Sequence, residues 1–81
     1  MLPYRTRLLT CFRAIFGEHT DSELLAAIPD TISNWDSGNH FILVQLVEEE
    51  FNVRIPERLG SELLSFVDFE RYLEVTLGPA A

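Results

Sequence analysis

Few side chains in this sequence are of a type and spacing that could do covalent chemistry. Cys11 is the only cysteine, so neither an intramolecular disulfide nor a Cys-based zinc site can form. It flanks an apolar helical stripe with no Lys or His beside it, and it reads as a small semi-buried hydrophobe, not as a reactive thiolate. His19 sits in a polar stretch with no companion at metal-ligand spacing. His40 falls on the apolar side of a helix and is expected to bond a loop group. A Ser–His–Asp set can be composed on paper, but no strand–turn–helix elbow or oxyanion loop is present. All six basic residues are Arg, which excludes Schiff-base chemistry and a P-loop lysine. No Asp-x-Asp-x-Asp-Gly loop occurs, so an EF-hand is excluded too. What remains is Asp36-Ser37 at the start of a helix, followed on one of its faces by Gly38, Phe41, Ile42, Gln45, Glu48 and Glu49.

The chain that must position these residues has 81 of them, 47% hydrophobic and 11% aromatic, a globular composition. One core is all that this length supports, so residues 1–81 form a single domain with its core over about 6–77. A deep enclosed pocket does not fit, and an enzyme is not expected. The net charge is −7, from 13 acidic residues against 6 basic ones. Nucleic acid and anionic membranes are therefore poor partners, and a basic protein surface is a good one. Arg13 interrupts the apolar start, leaving no signal-peptide core and no transmembrane span. The lone cysteine fits a reducing cytoplasm, and the charge and size favour a monomer.

Apolar spacing predicts helices and no sustained strand alternation. Leu8, Leu9, Phe12, Ile15 and Phe16 form the stripe of a first helix, with Gly17 as its C-cap. A long loop to about residue 36 carries a short helical piece at 22–27, capped by Asp21 or Ser22 and ended by Pro29. The second helix spans Ser37–Phe51 behind an Asp36 or Ser37 cap. A short helical turn is expected after Pro56, within 57–64. The last helix spans Phe66–Leu77, with Ser65 and Asp68 as a weak capping box, Phe66, Phe69, Leu73 and Leu77 as its core stripe, Tyr72 beside it, and Gly78-Pro79 as its stop. The expected fold is all-α, a small four-helix bundle with a long first loop and a short third helix.

On a wheel of the second helix at about 100° per residue, Leu43, Val47, Phe51, Val44 and His40 share the core face, with Leu46 and Glu50 near its margin. The opposite face carries Phe41 and Ile42 among Gln45, Glu48 and Glu49. An exposed apolar pair rimmed by carboxylates suits a partner with a hydrophobic notch and Arg or Lys. The alternative is that Phe41 and Ile42 pack under the long first loop.

Trp35-Asp36-Ser37 through Glu48-Glu49-Glu50-Phe51, then Val53-x-Ile55-Pro56, resembles the acyl carrier protein family, whose members show Asp-Ser at the start of their second helix, a Glu-Glu-x-Phe block and an apolar-x-Ile-Pro turn at these distances. His40 and the late Ser65-Phe66-x-Asp68-Phe69-x-x-Tyr72-Leu73 fit the same pattern, which covers about residues 6–77. The resemblance implies that Ser37 bears a covalent 4′-phosphopantetheine arm. The arm's thiol would carry acyl or aminoacyl groups as thioesters in a fatty-acid, polyketide or specialised pathway. A helix start suits the phosphodiester, because free N–H groups and the positive end of the helix dipole face it. Tethering raises the cargo's local concentration at each docked enzyme. The implied partners are a phosphopantetheinyl transferase, an acyl- or aminoacyl-activating ligase and acyl-processing enzymes with basic docking patches. Asp36, Glu48 and Glu49 match the family's recognition positions.

Three features depart from the pattern. Gly38 replaces the family's bulky apolar residue after the Ser, Ile42 stands where many fatty-acid carriers hold a carboxylate, and Arg54 and Arg58 lie in a commonly acidic region. They imply a recognition surface tuned to particular partners, or in the extreme a chain that is not modified. The competing class is an unmodified helical adaptor docking through Phe41, Ile42, Glu48 and Glu49. Bulky core phenylalanines predict a cavity too small for a long acyl chain.

Overall fold

The computed structural model describes residues 4–78. They form α1 (Arg5–Ile15), α2 (Asp21–Leu25), α3 (Ser37–Phe51), α4 (Glu57–Gly60) and α5 (Phe66–Leu77), with no strand among the described residues. The result is a small all-helical bundle of three longer and two short helices, in which α1 packs against α2, α3 and α5.

Aromatic side chains fill the centre. The fully buried Phe12 ring lies 5.0 Å from Phe66, 5.6 Å from Trp35, 5.7 Å from Phe69 and 6.0 Å from Phe16, centroid to centroid. Tilted and edge-on pairs at these spacings are the favourable ones. Leu8, Leu24, Ile32, Leu43, Val47 and Leu73 close the core around them. Cys11 is buried, not semi-buried, with Sγ 3.8 Å from the Leu46 carbonyl; burial first, then the charge of Glu50, pushes its thiol up to about 11.

Several boundaries differ from the periodicity. α1 closes at Phe16, whose N–H bonds the Phe12 carbonyl, one residue before Gly17. A Cβ on Gly17 would stand 3.0 Å from the Arg13 carbonyl oxygen, so the glycine answers a close backbone approach and not a left-handed cap. α2 is capped neither by Asp21 nor by Ser22. The Thr20 hydroxyl accepts from the Glu23 N–H and the Glu23 carboxylate accepts from the Thr20 N–H, a reciprocal capping box. At α5 the Ser65 hydroxyl accepts from the Asp68 N–H, while Asp68 accepts from Leu64 instead of Ser65.

Leu77 is 41% exposed, outside the core stripe expected of it. The residues flanking α1 and α5 are tied together, because the Tyr4 hydroxyl, just before α1, donates to the carbonyl of Gly78, just after α5. Gly78 stops the helix with φ 77°, a conformation that favours glycine; Pro79 lies outside the described residues. Glu70, by contrast, is buried on α5. Arg5 grips it twice, Nε and Nη2 each 3.0 Å from a carboxylate oxygen, and this hydrogen bonding raises the guanidinium further above its usual range.

Candidate functional site

The loop leading into α3 is held by its own backbone and by two side-chain amides. The Thr31 and Ile32 N–H groups turn back to the Ile28 carbonyl, and the Trp35 N–H bonds Ile32. Asn34 Nδ2 donates to the Ile15 carbonyl at 3.4 Å, and Asn39 Nδ2 to the Asn34 carbonyl at 2.7 Å. Ala27, Ile32 and Trp35 are buried, and Ala27 accepts from the Phe66 N–H, so this long connection is part of the packed body.

α3 covers Ser37–Phe51, as its spacing and caps predict. Asp36 is the N-cap: Oδ1 accepts from the Asn39 N–H at 2.8 Å. Because the carboxylate occupies that role, the Ser37 hydroxyl has no hydrogen-bond partner among the described residues, and Ser37 is exposed. Gly38 is exposed with ordinary backbone geometry. A Cβ there would meet only Asp36 Oδ1 at 3.6 Å, so the fold does not require the glycine. At the far end the helix closes on Asn52, in the left-handed conformation at φ 53°, its N–H turned back to the Glu48 carbonyl.

The two faces separate as the wheel implies. Leu43, Val47 and Phe51 are buried, with Val44, Leu46 and His40 half-buried. Phe41 is 63% exposed and Ile42 46%, so the first loop does not cover them. Gln45 and Glu49 are exposed beside them. Glu48 is half-buried, and its Oε2 accepts from the Ile55 N–H at 2.7 Å, tying α3 to the turn before α4. Glu50 lies on the seam with α1, exposed and paired with Arg7 at 2.8 Å; the Arg7 guanidinium also lies 4.5 Å from the Phe51 ring centroid. Asp36, Ser37, Gly38, Phe41, Ile42, Gln45 and Glu49 therefore belong to the solvent side of α3. Arg54 and Arg58 are exposed, with no ion pair among the described residues.

His40 bonds groups on both sides. The Trp35 indole Nε1–H lies 3.0 Å from Nδ1, and Nε2 lies 2.8 Å from the Gly60 carbonyl oxygen. The loop partner expected for His40 is Trp35; the second partner, the carbonyl of Gly60 at the end of α4, is not visible in the spacing. Thr20 and Glu70 also escaped the sequence reading. For Thr20 the signal was present, because Thr20-x-x-Glu23 has the capping-box spacing; for Glu70 nothing local marks the carboxylate as buried.

Ser37 borders an open apolar groove of about 380 Å³ between α3 and α4, lined also by His40, Phe41, Val44, Ile55 and Gly60. Among the described residues no group of three His, Cys, Asp or Glu side chains is placed to hold a metal ion. No described helix is long and apolar enough to cross a membrane. Compared with protein-family models, with curated proteins and with solved structures, the chain matches none.

Proposed function

We propose that the chain is a discrete acyl carrier protein, a bundle of acyl-carrier type that carries acyl or aminoacyl thioesters on 4′-phosphopantetheine at Ser37. The observation that carries this reading is the division of labour at the start of α3. Asp36 caps the helix, and the neighbouring hydroxyl stays exposed and unbonded at a helix N-terminus, where a phosphodiester is favoured. A serine needed for the cap would not be free to accept the arm. The exposed Phe41 and Ile42, with Asp36 and Glu49 near them, suit a transferase, a ligase and acyl-processing enzymes that present an apolar notch and basic side chains. Glu48 contributes less to such contacts, since the Ile55 N–H already occupies one of its oxygens. The protein supplies a handle and a docking face, and the partners supply the chemistry; it is not itself an enzyme.

The test is intact-protein mass after incubation with coenzyme A, Mg²⁺ and a broad-specificity phosphopantetheinyl transferase, with Ser37→Ala alongside. One phosphopantetheine increment on the parent and none on the folded variant is the expected result. No increment on the folded parent with several transferases would favour the unmodified adaptor, which would use the same exposed Phe41 and Ile42.

A further inference from the structure

Ser37 stands at the rim of two grooves, and one side chain runs between them. The first is the groove between α3 and α4. The second, about 310 Å³, runs on the other side over Pro29, Trp35 and Leu64. Ser37, His40 and Ser61 line both. An indole N–H can only donate, so Nδ1 of His40 must accept from Trp35. The proton of the neutral ring then sits on Nε2 and is donated to the Gly60 carbonyl. One imidazole thus joins the loop before α3, α3 itself and α4.

α4 has only four residues and cannot hold its place by its own hydrogen bonds. Its last residue, Gly60, is buried against Val44 and Ile55 and tied to His40. Behind the imidazole the way inward is filled. The Trp35 ring stacks on it at 6.1 Å, the Phe69 ring lies 6.1 Å away, and Phe12 follows Phe69 at 5.7 Å.

We propose that His40 is a positioning residue that latches α4 onto α3 and closes the route from Ser37 into the bundle, so that cargo on Ser37 lies in the open grooves and stays accessible to partner enzymes. The cargo half of this inference rests on the carrier reading, whereas the latch is a property of the unmodified chain. A chain held outside can be reached by an enzyme without first being withdrawn from a core.

Two variants that both fill the space separate the hydrogen bond from the ring. His40→Phe keeps a ring and loses the donor; His40→Gln keeps a donor near the Nε2 position. Amide exchange on the unmodified protein should show the Gly60 and Ser61 N–H groups, which bond Pro56 and Glu57, exchanging about fivefold faster in His40→Phe and at the parent rate in His40→Gln. With octanoyl-4′-phosphopantetheine transferred to Ser37 from octanoyl-coenzyme A by a phosphopantetheinyl transferase, releasing adenosine 3′,5′-bisphosphate, hydroxylamine should cleave the parent thioester within about twofold of the free octanoyl-pantetheine rate, since little apolar burial shields it. The same thioester on His40→Phe should be cleaved more slowly, and on His40→Gln at the parent rate. Unchanged exchange in His40→Phe, or a glutamine variant that behaves like the phenylalanine one, would overturn the latch. A parent octanoyl thioester already strongly protected would overturn the cargo half. A chain that takes no arm leaves the exchange experiment intact and fails on mass alone, so the two failures are distinguishable.

Discussion

The starts of α3 and α5 are built from the same two residue types and use them in opposite ways. At α5 the serine is the cap: the Ser65 hydroxyl accepts the Asp68 N–H, and Asp68 accepts from Leu64. At α3 the aspartate is the cap, and the Ser37 hydroxyl is left without a partner among the described residues. A serine near a helix start is therefore not a functional signal in itself. It is available for chemistry only where a neighbour satisfies the orphan N–H groups of the first turn.

The sharpest way to break this comparison is to measure stability for both serines and for Asp36. Ser65→Ala and Asp36→Ala should each cost about 1 kcal/mol, which lowers Tm by about 4–8 °C in a domain of this size. Ser37→Ala should leave Tm nearly unchanged while abolishing the proposed arm attachment. A Ser37→Ala loss as large as that of Ser65→Ala, seen in thermal denaturation, would return Ser37 to a structural role.

A smaller effect of the opposite sign is expected one residue on. Since a Cβ at Gly38 meets only ordinary contacts, Gly38→Ala should raise stability by roughly 0.5 kcal/mol through reduced backbone freedom. A loss in denaturant unfolding would mean that the first turn of α3 needs the glycine.

The smallest effect concerns the third side-chain cap, at α2. The Thr20 N–H, bonding the Glu23 carboxylate, holds its pKa below the usual glutamate range. A depressed carboxylate stabilises the fold above its unfolded value and loses that contribution as pH falls through the folded value. The Thr20 and Glu23 amide chemical shifts should therefore move only on acidification below about pH 4.3. Amide signals that shift nearer neutrality would show that the box does not lower this carboxyl.

Which parts of this could be read in advance follows from the range of the interactions. The limits of α3, its buried Leu43, Val47 and Phe51, and its exposed Phe41 and Ile42 follow from local periodicity and a cap within one turn. The same local signals bring Ser65 and Phe66–Leu77 to light. Glu70 needs Arg5, 65 residues away, before its burial makes sense. Glu48 reads as a free recognition charge until the Ile55 N–H is brought to it by the turn at Asn52. Leu77 fits an apolar stripe that simply outruns the core. Of the candidate site, the exposure of Phe41, Ile42, Gln45 and Glu49 was legible, and the partial burial of Glu48 was not. The satisfaction of the cap by Asp36 alone, which leaves Ser37 free, is not fixed by residue type, because both residue types are competent caps.

If the chain carries thioesters as proposed, the buried thiol of Cys11 has a consequence for their traffic. Thioesters exchange readily with any accessible thiolate, so a second competent sulfur on the same molecule would draw cargo into a dead-end adduct that no partner could use. A thiol pushed up to about 11 and only 5% exposed is held almost wholly in its protonated form at neutral pH. On the carrier reading, the arm would then offer the molecule's sole nucleophilic sulfur, and cargo could leave only towards an enzyme.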